Sequence, residues 1–385
     1  MVNGPLWCYF YAMKYVDNEN PMASMRFSCT QVGPNSLVYG TEDDLRKGLS
    51  SIETYAKPER VFVESNCSVS LVGDDVQGIA DQMDLPWPVY AMDSGGMKGS
   101  FEAGYSAASL RIEEEMKKKE KIPASVNVLG LSTVHMKGRE DAEEIRRLLS
   151  LCGIRVISMP GGGSNWDDIM AAPSASLNIV VRDELGLSLA KQMERDFGTP
   201  YMSSGLPYGT DGTMAWLSEI IEKLGAGELI RASHEAAKLK EFLLRKGNNL
   251  ESLWGPLWFD AVLISAPPSE ALGIAEAIRS EWIDTAHLCI HAQCETEKST
   301  PAADAIRVVM KNEKEIAKDY EDWQGGLVLS SSHETHLLRR MGRSFTGFHI
   351  ALPSHDEVHF SDLPQCGLRG AGYLYEQLWN AKLRK

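Results

Sequence analysis

The chain has 385 residues, 43% of them hydrophobic and 24% charged, and a net charge of −14. At roughly 100–200 residues per domain, that length allows two or three soluble globular domains with several apolar cores. The acidic surface repels phosphate backbones and anionic lipids, which excludes nucleic acid and membrane surfaces as natural partners. The apolar stretch at residues 6–15 is too short to cross a bilayer and contains Lys14. With no basic region before it and no cleavage site after it, it does not read as a signal peptide, and a cytoplasmic chain is expected. Seven cysteines, an odd number spread over a large acidic chain, do not make a disulfide framework in a reducing compartment. Each is a buried small hydrophobe or a ligand.

Strand-then-helix units recur along the chain. Residues 61–64 form a β-rich run after the Lys57-Pro58 break, followed by a small-residue turn and a helical pattern over 75–83. Residues 125–131 read as a buried strand, and 139–151 as an amphipathic helix. A strand (154–159), a glycine loop (161–163) and a helix (165–171) follow, then a strand at 177–181 and a helix at 187–197. Past Gly225 a charged helical stretch runs to about residue 246. The alternation then resumes with a strand at 261–265, a helix at 270–279, and strands near 287–291 and 326–329. Such alternation predicts an α/β fold of parallel sheets with helices on both faces. Three Rossmann-like blocks fit, at about 1–120, 121–225 and 226–385, with the Lys-rich run 113–121 as a boundary.

Two cysteines stand at turns. Cys8 closes Gly4-Pro5-Leu6-Trp7-Cys8, where a Gly-Pro turn predicts an exposed loop with Trp7, Tyr9 and Phe10 as aromatic cover. Accessible sulfur, a bent backbone and a shell that limits water are what a thiolate ligand needs. Cys67 follows the strand ending near Glu64, and Val72-Gly73-Asp74-Asp75 comes next. In open α/β sheets the carboxyl ends of strands bind ligands, and the acidic pair suits the first turn of a helix. Either cysteine is also readable as a structural residue. Cys29, in Phe27-Ser28-Cys29-Thr30, is a third ligand or a packed strand cysteine. Cys152 reads as core and Cys366 as a turn residue. Cys289 and Cys294 stand as C-x₄-C beside His287 and His291, which invites a zinc reading but matches no common zinc spacing and needs further ligands. Gly161-Gly162-Gly163 reads as a tight strand–helix turn, and no G-x-x-x-x-G-K-S/T phosphate loop or G-x-S-x-G elbow occurs. His333 and His336 read as a solvated helix start.

Taken in order, these segments resemble component 1 of nitrogenase and its relatives, among them dark-operative protochlorophyllide reductase and nickel-sirohydrochlorin reductive cyclase. Gly4–Cys8 matches that family's Gly-Pro-x-x-Cys ligand turn. Leu37-Val38-Tyr39-Gly40-Thr41-Glu42 resembles a segment the family enters from a strand. Cys67 with Val72-Gly73-Asp74-Asp75 resembles its cysteine and Ile-Gly-Asp-Asp pair. Val126-Asn127-Val128-Leu129-Gly130, Ala175-Ser176-Leu177-Asn178, Phe197-Gly198-Thr199-Pro200 and the ending Gly367-Leu368-Arg369-Gly370-Ala371-Gly372-Tyr373-Leu374 also resemble family segments.

The resemblance implies an oxidoreductase that holds an iron–sulfur cluster, a [4Fe–4S] cluster through Cys8 and Cys67 with Cys29 as the further candidate. It implies a homodimer, or a heterodimer with a related chain, and a cluster at the subunit interface. An ATP-hydrolysing iron–sulfur reductase component would supply electrons, and a small-molecule substrate would receive them in a cavity between domains. Two departures shape this expectation. The family's earlier ligand cysteine has no counterpart before Gly4, so an eight-iron cluster would need Cys29. Arg182 stands where catalytic nitrogenase subunits place a cofactor-binding cysteine, which argues against dinitrogen reduction. A non-catalytic relay or cofactor-assembly subunit, and a cluster-free binding protein on the same scaffold, are the other expectations.

Overall fold

A computed structural model describes residues 1–19 and 24–384. The chain divides into two compact units, Met1–Glu114 and Glu115–Lys385. The described residues hold three sheets whose ladders are all parallel. The α/β class read from the alternation is what the chain adopts. No helix among the described residues is long and apolar enough to cross a membrane.

The first unit carries β1 (Val2–Asn3), β2 (Val61–Ser65) and β3 (Val89–Met92), in the order β1-β2-β3. Its core joins Val61, Val63 and Val89 to Leu45, Leu49 and Ile52 of the helix Glu42–Tyr55 and to Val76, Ile79 and Ala80. Spacings of four and three residues put those three helix residues on one stripe. Glu42, Asp43 and Asp44 fill the helix's first turn, where carboxylates oppose the positive end of the helix dipole.

The Gly73-Asp74-Asp75 step has a mechanical role. Gly73, at φ +81°, ends the helix Cys67–Val72 in a left-handed conformation that glycine adopts without strain. Asp74 accepts from the Thr41 amide at 2.5 Å and hydroxyl at 2.8 Å, fixing the entry to Glu42–Tyr55. Asp75 caps the helix Val76–Asp81 by accepting from the Gly78 amide at 2.9 Å. One departure from expectation lies nearby: Ser36–Tyr39 is a short helix, with no strand entering Gly40.

The second unit carries two sheets. β4 (Ile122–Leu129), β5 (Arg155–Ser158), β6 (Ala175–Val180) and β7 (Tyr201–Ser203) lie in the order β5-β4-β6-β7. β8 (Trp258–Ala266), β9 (Asp284–Ala292), β10 (Ala305–Val308), β11 (Leu327–Ser330) and β12 (Thr346–His349) lie in the order β10-β9-β8-β11-β12. The central strands are nearly continuous in buried Val, Leu and Ile, as parallel sheets covered on both faces require. A single apolar cluster runs through both sheets. The charged stretch past Gly225 is the 25-residue helix Ile230–Trp254.

Arg182 is fully buried in this core. Its Nη2 and Nε donate to Glu270 Oε1 at 2.6 and 2.9 Å, and its Nη1 donates to the Gly130 carbonyl at 3.3 Å. Asp141, also buried, lies 3.9 Å from the guanidinium and accepts from the Gln365 and Cys366 amides. A buried charge persists only when paired in this way. Arg182 therefore acts as a polar rivet at the end of β6.

Candidate functional site

Cys8 lies in the first turn of the helix Leu6–Glu19, not in a loop. Pro5 immediately precedes that helix, and the Cys8 amide donates to the Pro5 carbonyl at 3.1 Å. The Gly-Pro step does turn the chain out of β1, but the aromatic run behind it continues as helix. The Cys8 side chain is exposed all the same.

Cys67 is the first residue of the helix Cys67–Val72 and is exposed too. Asn66 extends the β2 pairing by donating its amide to the Asn3 carbonyl at 3.1 Å. Its side-chain oxygen caps the Cys67 helix by accepting from the Val69 amide at 3.0 Å. Its side-chain nitrogen donates to Cys8 Sγ at 3.2 Å. One asparagine therefore holds the two cysteine-bearing turns together. Gly4 makes that approach feasible, because a Cβ there would stand 2.6 Å from Asn66 Cγ.

Cys29 joins the same corner. It bridges β1 through Val2 without belonging to a strand. Its Sγ donates to the Gly4 carbonyl at 3.3 Å and accepts from the Gln31 amide at 3.4 Å. Partial burial pushes its thiol up, and the neighbouring Cys8 pushes the same way, against the pull of the Gln31 amide. The three cysteines singled out in the sequence thus surround Gly4 and Asn66. A further glycine pair keeps Cys67 clear: a Cβ on Gly96 would lie 3.4 Å from Cys67 Sγ, and one on Gly95 would lie 3.1 Å from the Cys67 amide nitrogen.

Beyond Gly96 a cavity of about 470 Å³ is lined by Glu64, Asp93, Tyr105 and Arg111 among others. The Ser70 hydroxyl and the Lys98 ammonium hold the Asp93 carboxyl below its ordinary range. The surroundings of the cysteines are apolar and open. Trp7 is 68% exposed, Tyr39 88% and Leu71 70%, with Leu6, Phe10, Tyr11, Val38 and Met97 exposed as well. Leu6, Trp7, Phe10 and Tyr11 stand on the Cys8 helix and Leu71 on the Cys67 helix, so both cysteine-bearing helices expose apolar side chains. Trp7 and Phe10 pack edge to face at 6.1 Å.

The remaining cysteines sit differently. Cys152 and Cys366 are buried. Cys366 is the N-cap of the helix Gly367–Leu383, and desolvation pushes its thiol well up, away from ligand chemistry. His333 and His336 lie on the helix Ser332–Arg340, whose start is a Ser331/Glu334 capping box. Asn66 and the glycine pair went unread in the sequence. A residue that caps a helix while donating to a sulfur has no local signature.

Compared with known proteins, the chain matches the family described as "Nitrogenase component 1 type Oxidoreductase" over residues 1–383. It belongs to that family. It is 30% identical over 260 residues to the nitrogenase iron-molybdenum cofactor biosynthesis protein NifE of Clostridium pasteurianum, an alignment covering 66% of this chain and 54% of that protein. It is 23% identical over 373 residues to a subunit of the light-independent protochlorophyllide reductase of Chloroherpeton thalassium, covering 92% of this chain and 69% of that one. The chain thus spans little more than half of the first relative and about two thirds of the second. Among solved structures, nitrogenase Cp1 at pH 6.5 superposes with a TM-score of 0.74 at 16% identity, covering 100% of this chain and 88% of that one. That likeness establishes the shared fold.

Proposed function

We propose that this chain is the electron-accepting component of a two-component, ATP-driven reductase. Cys8 and Cys67 would hold an iron–sulfur cluster, a [4Fe–4S] cluster, at an interface with a second copy or a related chain. The observation that carries this reading is the pair of exposed cysteines on two turns that Asn66 ties together, bonding Cys8 Sγ and capping the Cys67 helix. The donor set fits the group: two accessible sulfurs at adjoining helix starts, Gly96 leaving space at Cys67 Sγ, and an apolar surface able to exclude water once covered. Cys29 is the reserve ligand, and its thiol would have to leave the Gly4 carbonyl to serve. The blocks 1–120, 121–225 and 226–385 would act as three domains.

The cluster, when bound, supplies one-electron storage. This chain's part is to position the two sulfurs, donate a hydrogen bond to one of them and keep solvent away. Electrons would come from a separate ATP-hydrolysing iron–sulfur protein, and a small molecule would receive them. Anaerobic purification with iron and sulfide assays, followed by turnover with a reconstituted reductase component, tests the reading. A protein without iron or sulfide after anaerobic reconstitution would end it.

One observation favours a second reading, a cofactor-assembly subunit. Arg182, fully buried and tied to Glu270, occupies the end of β6 with a fixed ion pair. A relative at 30% identity over 260 residues is itself a cofactor biosynthesis protein. Bound cluster without substrate turnover, together with transfer of a metal cofactor to an acceptor protein, would favour this role.

A further inference from the structure

A second group of metal-binding side chains lies in the third sheet, far along the sequence from the cysteine corner. Side chains two apart on a strand share a face, so β9 presents Cys289 and His291 together. The helix Glu313–Glu321 packs over that face and adds Asp319. Sulfur, imidazole nitrogen and carboxylate oxygen all lie within 4.8 Å of one another. His291 Nε2 is 2.9 Å and Cys289 Sγ 3.8 Å from Asp319 Oδ2. A four-coordinate zinc ion with bonds of about 2.0–2.3 Å holds its donors roughly 3.3–3.8 Å apart, so movements of about an ångström would close the set.

Three further features point to a cation. His291 is fully buried, and its Nδ1 faces the Tyr320 hydroxyl at 3.3 Å, an outer partner that orients the ring as metal-bound imidazoles require. A positive group already sits at the convergence point: Arg307 Nη1 lies 3.1 Å from Cys289 Sγ and 3.2 Å from Asp319 Oδ2. Arg307 Nε is 3.3 Å from Glu315, an exposed carboxylate to which the guanidinium can turn. The group lies near the carboxyl ends of β9 and β10, where open α/β sheets bind ligands. A nucleophile relay is not built here, because Asp319 and Tyr320 take the two ring nitrogens of His291 and leave none for the thiol.

We propose that Cys289, His291 and Asp319 bind one zinc-class divalent cation, with water in the fourth position. On binding, the Cys289 thiol gives its proton to solvent. The ion's two charges are then met by thiolate and carboxylate, and Arg307 moves to Glu315. This site is independent of the iron–sulfur reading. The test therefore uses the full chain with Cys8, Cys29 and Cys67 replaced by Ser. Anaerobic titration with cobalt(II) should give one ion per chain, with sulfur-to-cobalt charge-transfer absorption and the strong visible bands of four-coordinate cobalt. Cys289→Ser should lose the charge-transfer band. Arg307→Gln keeps every ligand and removes the competing cation, so it should tighten cobalt binding by about tenfold or more, given the strength of like-charge repulsion at such distances. Circular dichroism checks folding, and if Cys289→Ser does not fold, Arg307→Gln decides. Absence of the band, its survival in Cys289→Ser, or unchanged or weaker binding in Arg307→Gln would show a structural ion-pair network and overturn the proposal.

Discussion

The unit Met1–Glu114 exposes Cys8 and Cys67, whereas the unit Glu115–Lys385 buries Cys152 and Cys366 and half-buries Cys289 and Cys294. In the first, two cysteines are exposed at helix starts, beside aromatic and aliphatic side chains that are themselves exposed. In the second, Cys152 and Cys366 are buried, and even the charges of Arg182, Glu270 and Asp141 are buried and paired. The second pattern is that of a finished core. The first leaves two cysteine sulfurs exposed beside exposed apolar side chains, surface that a covering partner would take out of water. The difference directs the cluster reading to the first unit, while the second buries its ion pairs in the core and carries the separate Cys289, His291 and Asp319 group.

Swapping cysteines between these environments gives the largest contrast. Cys8→Ser and Cys67→Ser should each lose most bound iron in anaerobic protein, while Cys152→Ser and Cys366→Ser keep it, measured as iron and sulfide per chain. Equal retention in all four would erase the distinction between the units.

Within the second unit, Glu270→Gln removes the charge opposite Arg182. Breaking a buried pair from one side costs about 3–5 kcal/mol, so denaturant unfolding of this variant should shift by that amount with iron content unchanged.

His135 gives a pH-dependent effect of the next size. Burial, with the nearby Arg182 charge adding, lowers its pKa from 6.5 to about 3. The unfolded chain takes up a proton below pH 6.5 while the folded chain does not, so this contribution is full above pH 6.5 and is lost as pH falls toward about 3. Between pH 7 and pH 5 that amounts to about 2 kcal/mol, at 1.36 kcal/mol per pKa unit. Urea unfolding at the two pH values should show a smaller drop in His135→Gln than in the parent.

The smallest effect separates the two functions of Asn66. Asn66→Ala loses a helix cap, worth about 1 kcal/mol, together with the donor to Cys8. Asn66→Asp keeps the cap, loses the Nδ2 donor to Cys8 and Ser68, and sets a carboxylate beside Cys8 Sγ. Stability should fall in the first alone, and faster loss of iron to a chelator should appear in both.

The sequence reveals the α/β class and the longer elements because strands such as β8 and β9 are runs of nine residues, mostly buried over their second halves and set between helical patterns. Strands of two to four residues, such as β1, β7, β10 and β12, are too short to show a period. Leu6–Glu19 hides its helix behind an aromatic run without amphipathic spacing, and so Cys8 reads as a loop residue. The candidate cysteines were legible because turns and strand ends leave local marks. Their meeting at Asn66 was not, since Cys8 and Asn66 are 58 residues apart. Asp319 joins His291 across 28 residues for the same reason: a helix packing on a strand leaves no trace in spacing.

The central claim is that the first unit's open surface is half of a shared cluster site. One chain offers two exposed cysteines, whereas a [4Fe–4S] cluster usually takes four thiolates, and two-fold dimers bring the same patch of each subunit face to face. Sedimentation of the anaerobic protein, with iron counted per chain, tests this most directly. A dimer carrying about four irons per two chains, with both iron and dimer weakened by Cys67→Ser, is the expected result. A monomer retaining four irons would place all the ligands within one chain, recruit Cys29, and contradict the shared site.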